Sequence, residues 1–444
     1  MNDEEKRMKI ENSSIADIRR EFDCIVGYDA IKDDLVRICD TIRSRGHYEK
    51  LGAEIPHGLL LCGLPGVGKT TMAECMIRAC GRPVVRLRKS TSRDKFIDSI
   101  KEAFAGAADR EPSILFLDDV DKFAEESPVV MVDEEEINCG TSTEYAVLQT
   151  CMDEIAGRDV FVIATANRAD TLPDSLIRPG RFDRVRKVYA PGVHDAEMIL
   201  DKYLGEKKLA ADVDYRRLAV LMSGASCSRI EALANDAGLI AGYERASEIS
   251  MDHIARAYLR WWTFRRTEDL TPEEKLRVAY HEAGHVVMME RLMPGIIDVV
   301  CAKREAGTVF FDEYIDGLLL GINDDRNRMA ALKYLGGRAA IEEVYGEVDD
   351  MSEGDVDTAC FYVNDAVRCG YDGHMDLYQP RAGRASSEKT LEMIEEAVSE
   401  EMVTLYREAL SVMREDRAFL DRLAVALTEN EYLLADDIER LKSA

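Results

Sequence analysis

Tyr280-His281-Glu282-Ala283-Gly284-His285 sets two histidines four residues apart, with a glutamate directly after the first. The surrounding window, Thr271 to Leu292, carries helix signals: Thr271 as N-cap, Pro272 in the first turn, and Glu273 and Glu274 behind it. On a helix, positions i and i+4 share one face, so His281 and His285 can offer two imidazoles to one metal ion. Glu282 is then placed to accept a proton from water at that ion. This residue pattern belongs to zinc hydrolases. The plain alternative is a helix with two surface histidines and a chance glutamate. Histidine is scarce here, 7 in 444 residues, which weighs against chance at this spacing.

A second stretch could handle phosphates. Gly58 to Cys62 reads as a short buried strand and runs into Gly63-Leu64-Pro65-Gly66-Val67-Gly68-Lys69-Thr70, followed by Thr71 and a helical pattern. Glycines let backbone N–H groups curl around phosphates, Lys69 can reach the β and γ oxygens, and the Thr70 hydroxyl can hold Mg²⁺. ATP or ADP is the expected ligand. Ser113 to Leu117 is a second buried strand and ends in Asp118 and Asp119. Asp118 is expected to bind Mg²⁺ through water and Asp119 to polarise the attacking water. Val160 to Ala164 is a third strand leading to Asn167, which can orient water near the γ-phosphate. Arg178 and Arg181, in Arg178-Pro179-Gly180-Arg181-Phe182-Asp183-Arg184, could reach a neighbouring subunit's γ-phosphate; alone, they read as surface charges.

These residues need elements to hold them. Strands alternating with helices through about Tyr189 predict a parallel α/β sheet. A strand-poor helical stretch follows, then a segment with the His-Glu-x-x-His helix at its head. The expected division is 1–21 as an N-terminal extension, 22–192 as an α/β nucleotide-binding subdomain, 193–264 as a helical lid, 265–272 as a linker and 273–444 as a mainly α-helical metallopeptidase domain. Hydrophobic residues make up 46% and charged residues 32%, a globular balance. The net charge of -27 argues against a nucleic-acid partner. The 11 cysteines are scattered, with no Cys-x-x-Cys pair, and read as reduced cytoplasmic thiols. No apolar run approaches the ~18 residues of a membrane span, and no signal peptide is visible, so no membrane insertion is expected.

The chain from about Phe22 onward resembles the FtsH-type ATP-dependent zinc metalloproteases of the AAA+ superfamily. The resemblance rests on the phosphate loop, Asp118, the Asn167 strand, the Arg178–Arg184 segment, His281 to His285, and Leu335-Gly336-Gly337-Arg338-Ala339-Ala340. It implies an AAA+ P-loop core with a helical lid, a helical zinc peptidase domain, protein or peptide substrates, and a homo-oligomeric ring, a hexamer in this family. It implies that Arg178 and Arg181 are arginine fingers, that Asn167 is sensor 1, and that Ile25, Val26 and Gly27 lie in the adenine pocket. Met351-Ser352-Glu353-Gly354-Asp355 resembles the family segment that supplies an Asp ligand, which points to Asp355 as the third zinc ligand; Glu305, Asp350 and Asp357 compete. Three departures stand out. The family's membrane-spanning N-terminus is absent from this sequence. Asp119 replaces the usual Glu. Arg88 to Phe96, where an aromatic-Gly pore loop is expected, is polar, with Phe96 as its one aromatic. Two other readings stay open: a zinc peptidase whose ATPase is only an assembly switch, and a non-proteolytic remodelling ATPase.

Overall fold

The structure, a computed structural model, describes residues 15–89, 93–124, 130–132, 135–137, 142–260, 271–302, 308–311, 324–348, 350–370, 377, 388–430 and 432–444. The chain packs as two compact units, Met1–Glu206 with Met222–Ala232, and Lys207–Leu221 with Leu233–Ala444. The division runs through the helical stretch 193–264.

The first unit starts with α1 (Ile15–Arg20), α2 (Asp29–Arg43) and α3 (Arg45–Lys50), then β1 (Gly58–Cys62), α4 (Lys69–Cys80), β2 (Val84–Arg88), α5 (Arg93–Ala108) and β3 (Ser113–Asp118). A hairpin of β4 (Val130–Val132) and β5 (Glu135–Ile137) precedes α6 (Thr143–Glu154), β6 (Val160–Ala166), β7 (Arg184–Lys187) and α7 (Val193–Leu204). The main sheet runs β2-β3-β6-β1-β7, and its pairings are parallel. Both faces are covered, which is why the inner strands β1, β3 and β6 read as nearly continuous apolar runs. Successive side chains point to opposite faces: Leu60, Leu115 and Val162 pack with Phe96, Phe104 and Leu148, whereas Leu59, Ile114 and Phe161 pack with Leu35, Met72 and Met76. The order places the C-terminal ends of β1, β3 and β6 side by side. Those ends carry the phosphate loop, the paired acids and Asn167.

The second unit contains α8 (Tyr215–Leu221), most of α9 (Cys227–Tyr243), α10 (Met251–Arg260), α11 (Pro272–Leu292), β8 (Ile297–Cys301), β9 (Thr308–Phe311) and α12 (Asp324–Tyr345). It continues with α13 (Glu353–Arg368), α14 (Glu388–Glu415), α15 (Arg417–Glu429), β10 (Tyr432–Leu434) and α16 (Ala435–Ser443). Its core is helical, as expected, with α11 at the centre, buried from Val278 to Glu290 apart from the half-buried Tyr280. An antiparallel sheet, β10-β8-β9, lies beside the helices and was not expected from the sequence. Within this unit Arg217 pairs with Asp298, 2.8 Å from Nε to Oδ1. Among the described residues no helix is long and apolar enough to cross a membrane.

Candidate metal centre and nucleotide site

The helix α11 starts as its sequence dictates. Thr271 accepts from Glu274 N, and the Glu274 carboxylate accepts from Thr271 N at 2.8 Å, a reciprocal cap with Pro272 in the first turn. Two turns on, His281, Glu282 and His285 are all buried. The helix crosses α12 with unusually little separation. A Cβ on Gly284 would lie 2.4 Å from the Gly336 carbonyl oxygen, and one on Gly336 would lie 2.7 Å from that of Gly284. Two glycines therefore let the backbones touch. One residue further, a Cβ on Gly337 would sit 2.6 Å from His281 Cε1 and 2.7 Å from His285 Nε2.

The third arm arrives on the first turn of α13. His281 Nε2 and His285 Nε2 are 3.1 Å apart, and Asp355 Oδ2 lies 3.1 Å from the first and 3.2 Å from the second. A tetrahedral zinc ion with bonds of about 2.0–2.1 Å spaces its donors about 3.3–3.4 Å apart. The three atoms therefore fit one small tetrahedral ion with a position left over. Among the described residues these three form the one His/Cys/Asp/Glu group close enough to hold a metal. Glu305 lies outside the described residues, as does the side chain of Asp350, and Asp357 is exposed. His285 Nδ1 donates to the Lys333 carbonyl at 2.8 Å, which leaves Nε2 with the free lone pair. His281 Nδ1 is buried with no hydrogen-bond partner among the described residues.

Electrostatics agree with this division. Burial would raise Asp355, but the His281 and His285 hydrogen bonds outweigh it and hold the carboxyl well below its usual range. Burial lowers His285, but the bond to Asp355 and its charge raise it above the usual range. Glu282 is different: burial raises its carboxyl, only partly offset by the two histidines. Its Oε1 lies 4.0 Å from His281 Nε2, beyond a ligand contact but within reach through one water.

In the first unit, Lys69 Nζ donates to the Gly63 and Leu64 carbonyls at 2.8 and 2.9 Å and to Asn167 Oδ1 at 2.9 Å. Burial lowers the Lys69 ammonium, partly offset by Asp119, Asp121 and other groups. Val67 anchors the loop in the core, while Pro65, Gly66, Thr70 and Thr71 are exposed. The start of α9 reaches the same loop, because Ser228 N donates to the Gly66 carbonyl at 3.1 Å. Thr70 Oγ1 lies 3.2 Å from Asp118 Oδ1, a pair able to share Mg²⁺. Thr165, which sequence reasoning passed over, donates to Asp118 at 2.8 Å and accepts from Asp119 N at 2.9 Å. A lone hydroxyl in an otherwise apolar strand was the available signal. Asp119 faces cations, with Lys122 Nζ at 2.8 Å and Arg88 Nη2 at 3.3 Å. Those two and Lys69 outweigh its burial and lower its carboxyl. Gly27 lies beside α7, where a Cβ on it would meet Asp195 Oδ1 at 2.7 Å; Ile25 is buried in the core with Leu35 and Met72, and Val26, between Ile25 and Gly27, is half-buried.

The two arginines differ. Arg178 is exposed. Arg181 is buried and bidentate to Asp153 of α6, at 2.9 and 2.8 Å, and also reaches the Ser175 carbonyl. All three guanidinium nitrogens of Arg181 are thus engaged within its own chain. Phe96 is likewise turned inward, edge-on to Phe123 with ring centroids 4.9 Å apart. Residues 90–92 of the polar segment, Trp261 to Phe264 and the 265–270 part of the linker lie outside the described residues.

Residues 59–189 match the ATPase family associated with various cellular activities, and residues 268–441 match peptidase family M41. An "ATP-dependent zinc metalloprotease FtsH" of a Synechococcus species is 30% identical over 451 residues, covering 95% of this chain and 69% of the relative. "ATP-dependent zinc metalloprotease FtsH 2" of Symbiobacterium thermophilum is 31% identical over 446 residues, 95% of this chain and 74% of the relative. The FtsH of Syntrophobacter fumaroxidans is 27% identical over 449 residues, with 94% and 68% covered.

Proposed function

The chain belongs to the FtsH-type ATP-dependent zinc metalloprotease family and is a peptidase coupled to an ATPase; from that premise we propose that it cleaves unfolded or loosely folded proteins, and that its residues divide the work as follows. His281, His285 and Asp355 would hold Zn²⁺ through Nε2, Nε2 and Oδ2. Bound there, the ion supplies Lewis acidity, making water more acidic and polarising a peptide carbonyl. Glu282 accepts the proton of the attacking water and hands it to the leaving amine; its buried, raised carboxyl suits a base. The Lys333 carbonyl fixes the His285 ring. The observation that carries this reading is the triangle of donor atoms 3.1–3.2 Å apart with Glu282 just outside it.

In the nucleotide site, the loop Pro65–Thr71 and Lys69 take the phosphates, Ile25 to Gly27 flank the base, and Asp118 with Thr70 would hold Mg²⁺. Asp119 and Asn167 position the attacking water. Arg178, exposed, acts as the finger on a neighbouring subunit's γ-phosphate in a hexameric ring. Arg181 holds the finger's loop against Asp153. Residues 22–192 carry the ATPase, 193–264 the lid, 265–272 the linker and 273–444 the peptidase. The free thiols of the described cysteines suit a cytoplasmic setting. One observation favours a second reading, in which the ATPase only sets assembly: Phe96, the aromatic of the expected pore segment, is buried against Phe123. Degradation of denatured casein with and without ATP, by wild type and Lys69→Ala, separates the two. Threading predicts degradation that needs ATP and collapses in Lys69→Ala. Equal rates with and without ATP, in a pre-assembled ring, would establish the switch.

A further inference from the structure

Outside both sites, two thiols stand closer than packing requires. Cys24 lies on the turn before Ile25, and Cys75 lies on α4, the helix that begins at Lys69. Their Sγ atoms are 3.4 Å apart across 51 positions of sequence. Cys24 is exposed and Cys75 is buried. The Arg78 guanidinium bridges the pair, with Nη2 3.2 Å from Cys75 Sγ and 3.9 Å from Cys24 Sγ. Its Nε, 3.1 Å from Glu21, holds it in place. Cys39 and Cys80 are buried on both sides and offer no exposed sulfur to start a reaction.

We propose that Cys24 and Cys75 form an oxidisable dithiol, which a hydroperoxide converts to a disulfide that pins the Phe22–Gly27 segment to α4. Access sets the order of reaction, because Cys24 is exposed and Cys75 is buried. Cys24, in water, loses its proton and attacks one peroxide oxygen. The O–O bond breaks, the leaving oxygen departs with a proton as water, and Cys24 becomes a sulfenic acid. Cys75 then attacks the Cys24 sulfur, the S–O bond breaks, and the hydroxyl leaves with the Cys75 proton as a second water. Two thiols and one hydrogen peroxide give one disulfide and two waters, the two electrons passing from sulfur to peroxide. Burial and the hydrogen bond to Cys24 push the Cys75 thiol up to about 12, so Cys75 is not the thiol that meets the peroxide first. Closing a long loop stiffens the unfolded chain, so oxidation also stabilises this unit.

The test treats the full chain with a small excess of hydrogen peroxide, alkylates the remaining thiols and maps peptides by mass. The expected result is a Cys24–Cys75 cross-linked peptide 2 Da below the sum of its reduced parts, reversed by dithiothreitol, and a higher unfolding temperature for the oxidised protein. Cys24→Ser should remove both the cross-link and the thermal shift. In Cys75→Ala, which keeps the exposed thiol, Cys24 should accumulate as a sulfenic acid trapped by a dimedone probe. If Cys24 and Cys75 are instead alkylated after peroxide to the same extent as Cys360 and Cys369, or if Cys24 in Cys75→Ala takes up no probe, the dithiol assignment is wrong.

Discussion

Gly337→Ala is a one-carbon change aimed at the metal centre. The new Cβ would lie 2.6 Å from His281 Cε1, 2.7 Å from His285 Nε2 and 2.8 Å from His281 Nδ1, where ordinary contact is 3.4–4 Å. The imidazoles or α12 must therefore yield by about 0.6–0.8 Å. Metal–ligand distances tolerate only about 0.2 Å, so both histidines should lose register with Asp355. His285 is tied to α12 through the Lys333 carbonyl, and among the described residues none hydrogen-bonds His281 Nδ1 to restore its ring. Misplaced support of this kind costs about 10–100-fold in metal affinity, equivalent to ~1.4–2.8 kcal/mol. Overpacking adds a fold penalty of about 1–3 kcal/mol, offset by the ~0.5–1 kcal/mol that Ala gains over Gly in a helix. Chelator competition for zinc should thus give a Kd raised about 10–100-fold, with circular dichroism and ATP turnover little changed. Gly106→Ala, on α5 with nothing near its Cβ, is the control and should leave the zinc Kd unaltered. An unchanged zinc Kd in a folded Gly337→Ala protein would refute the packing reasoning.

Three further outcomes are expected. Arg178→Ala should cut ATP hydrolysis by about 10³-fold or more while ATP binding persists, and Asp153→Ala should mimic Arg181→Ala, with the double variant no worse than either; normal turnover in Asp153→Ala would mean that Arg181 works free of Asp153, as a finger would. Asp159 meets the Arg82 and Arg45 guanidinium groups at 2.7 and 2.9 Å, and these outweigh its burial and hold its carboxyl below the usual range. Its contribution is therefore present above about pH 4, the unfolded value, and is lost as pH falls through the lower folded value. Asp159→Asn should lose about 2 kcal/mol at pH 7, the buried-pair cost discounted for partial exposure, and urea titrations should show the gap narrowing as pH falls below the unfolded value of about 4; a gap that does not depend on pH would contradict the pairing.

Much of this was legible because the informative residues are contiguous. The phosphate loop, the Asp118–Asp119 strand end and the His-Glu-x-x-His helix each carry their chemistry within one element, and the apolar runs of β1, β3 and β6 announce a sheet covered on both faces. Asp355 was reached through resemblance and stands where two imidazoles converge. What stayed hidden depends on contacts across long separations. β10 pairs with β8 more than a hundred residues away, and each strand is too short to show a period. Arg181 and Asp153 are unrelated in sequence, so nothing in the arginine pair itself told the exposed member from the buried one. The Gly336-Gly337 doublet was visible as a signature, but its purpose, to admit one helix backbone and two imidazole rings, required the crossing of α11 with α12.

Zinc peptidase chemistry led by Glu282 is tested most directly by measuring bound zinc and peptide cleavage together in wild type, Glu282→Gln and Asp355→Ala. Glu282→Gln should retain one zinc per chain and lose cleavage by about 10²–10⁴-fold, the worth of a positioned base, because Glu282 lies outside ligand distance of the triangle. Asp355→Ala should lose the metal along with the activity. Full zinc occupancy in Asp355→Ala, or cleavage at the wild-type rate by Glu282→Gln, would contradict the assignment.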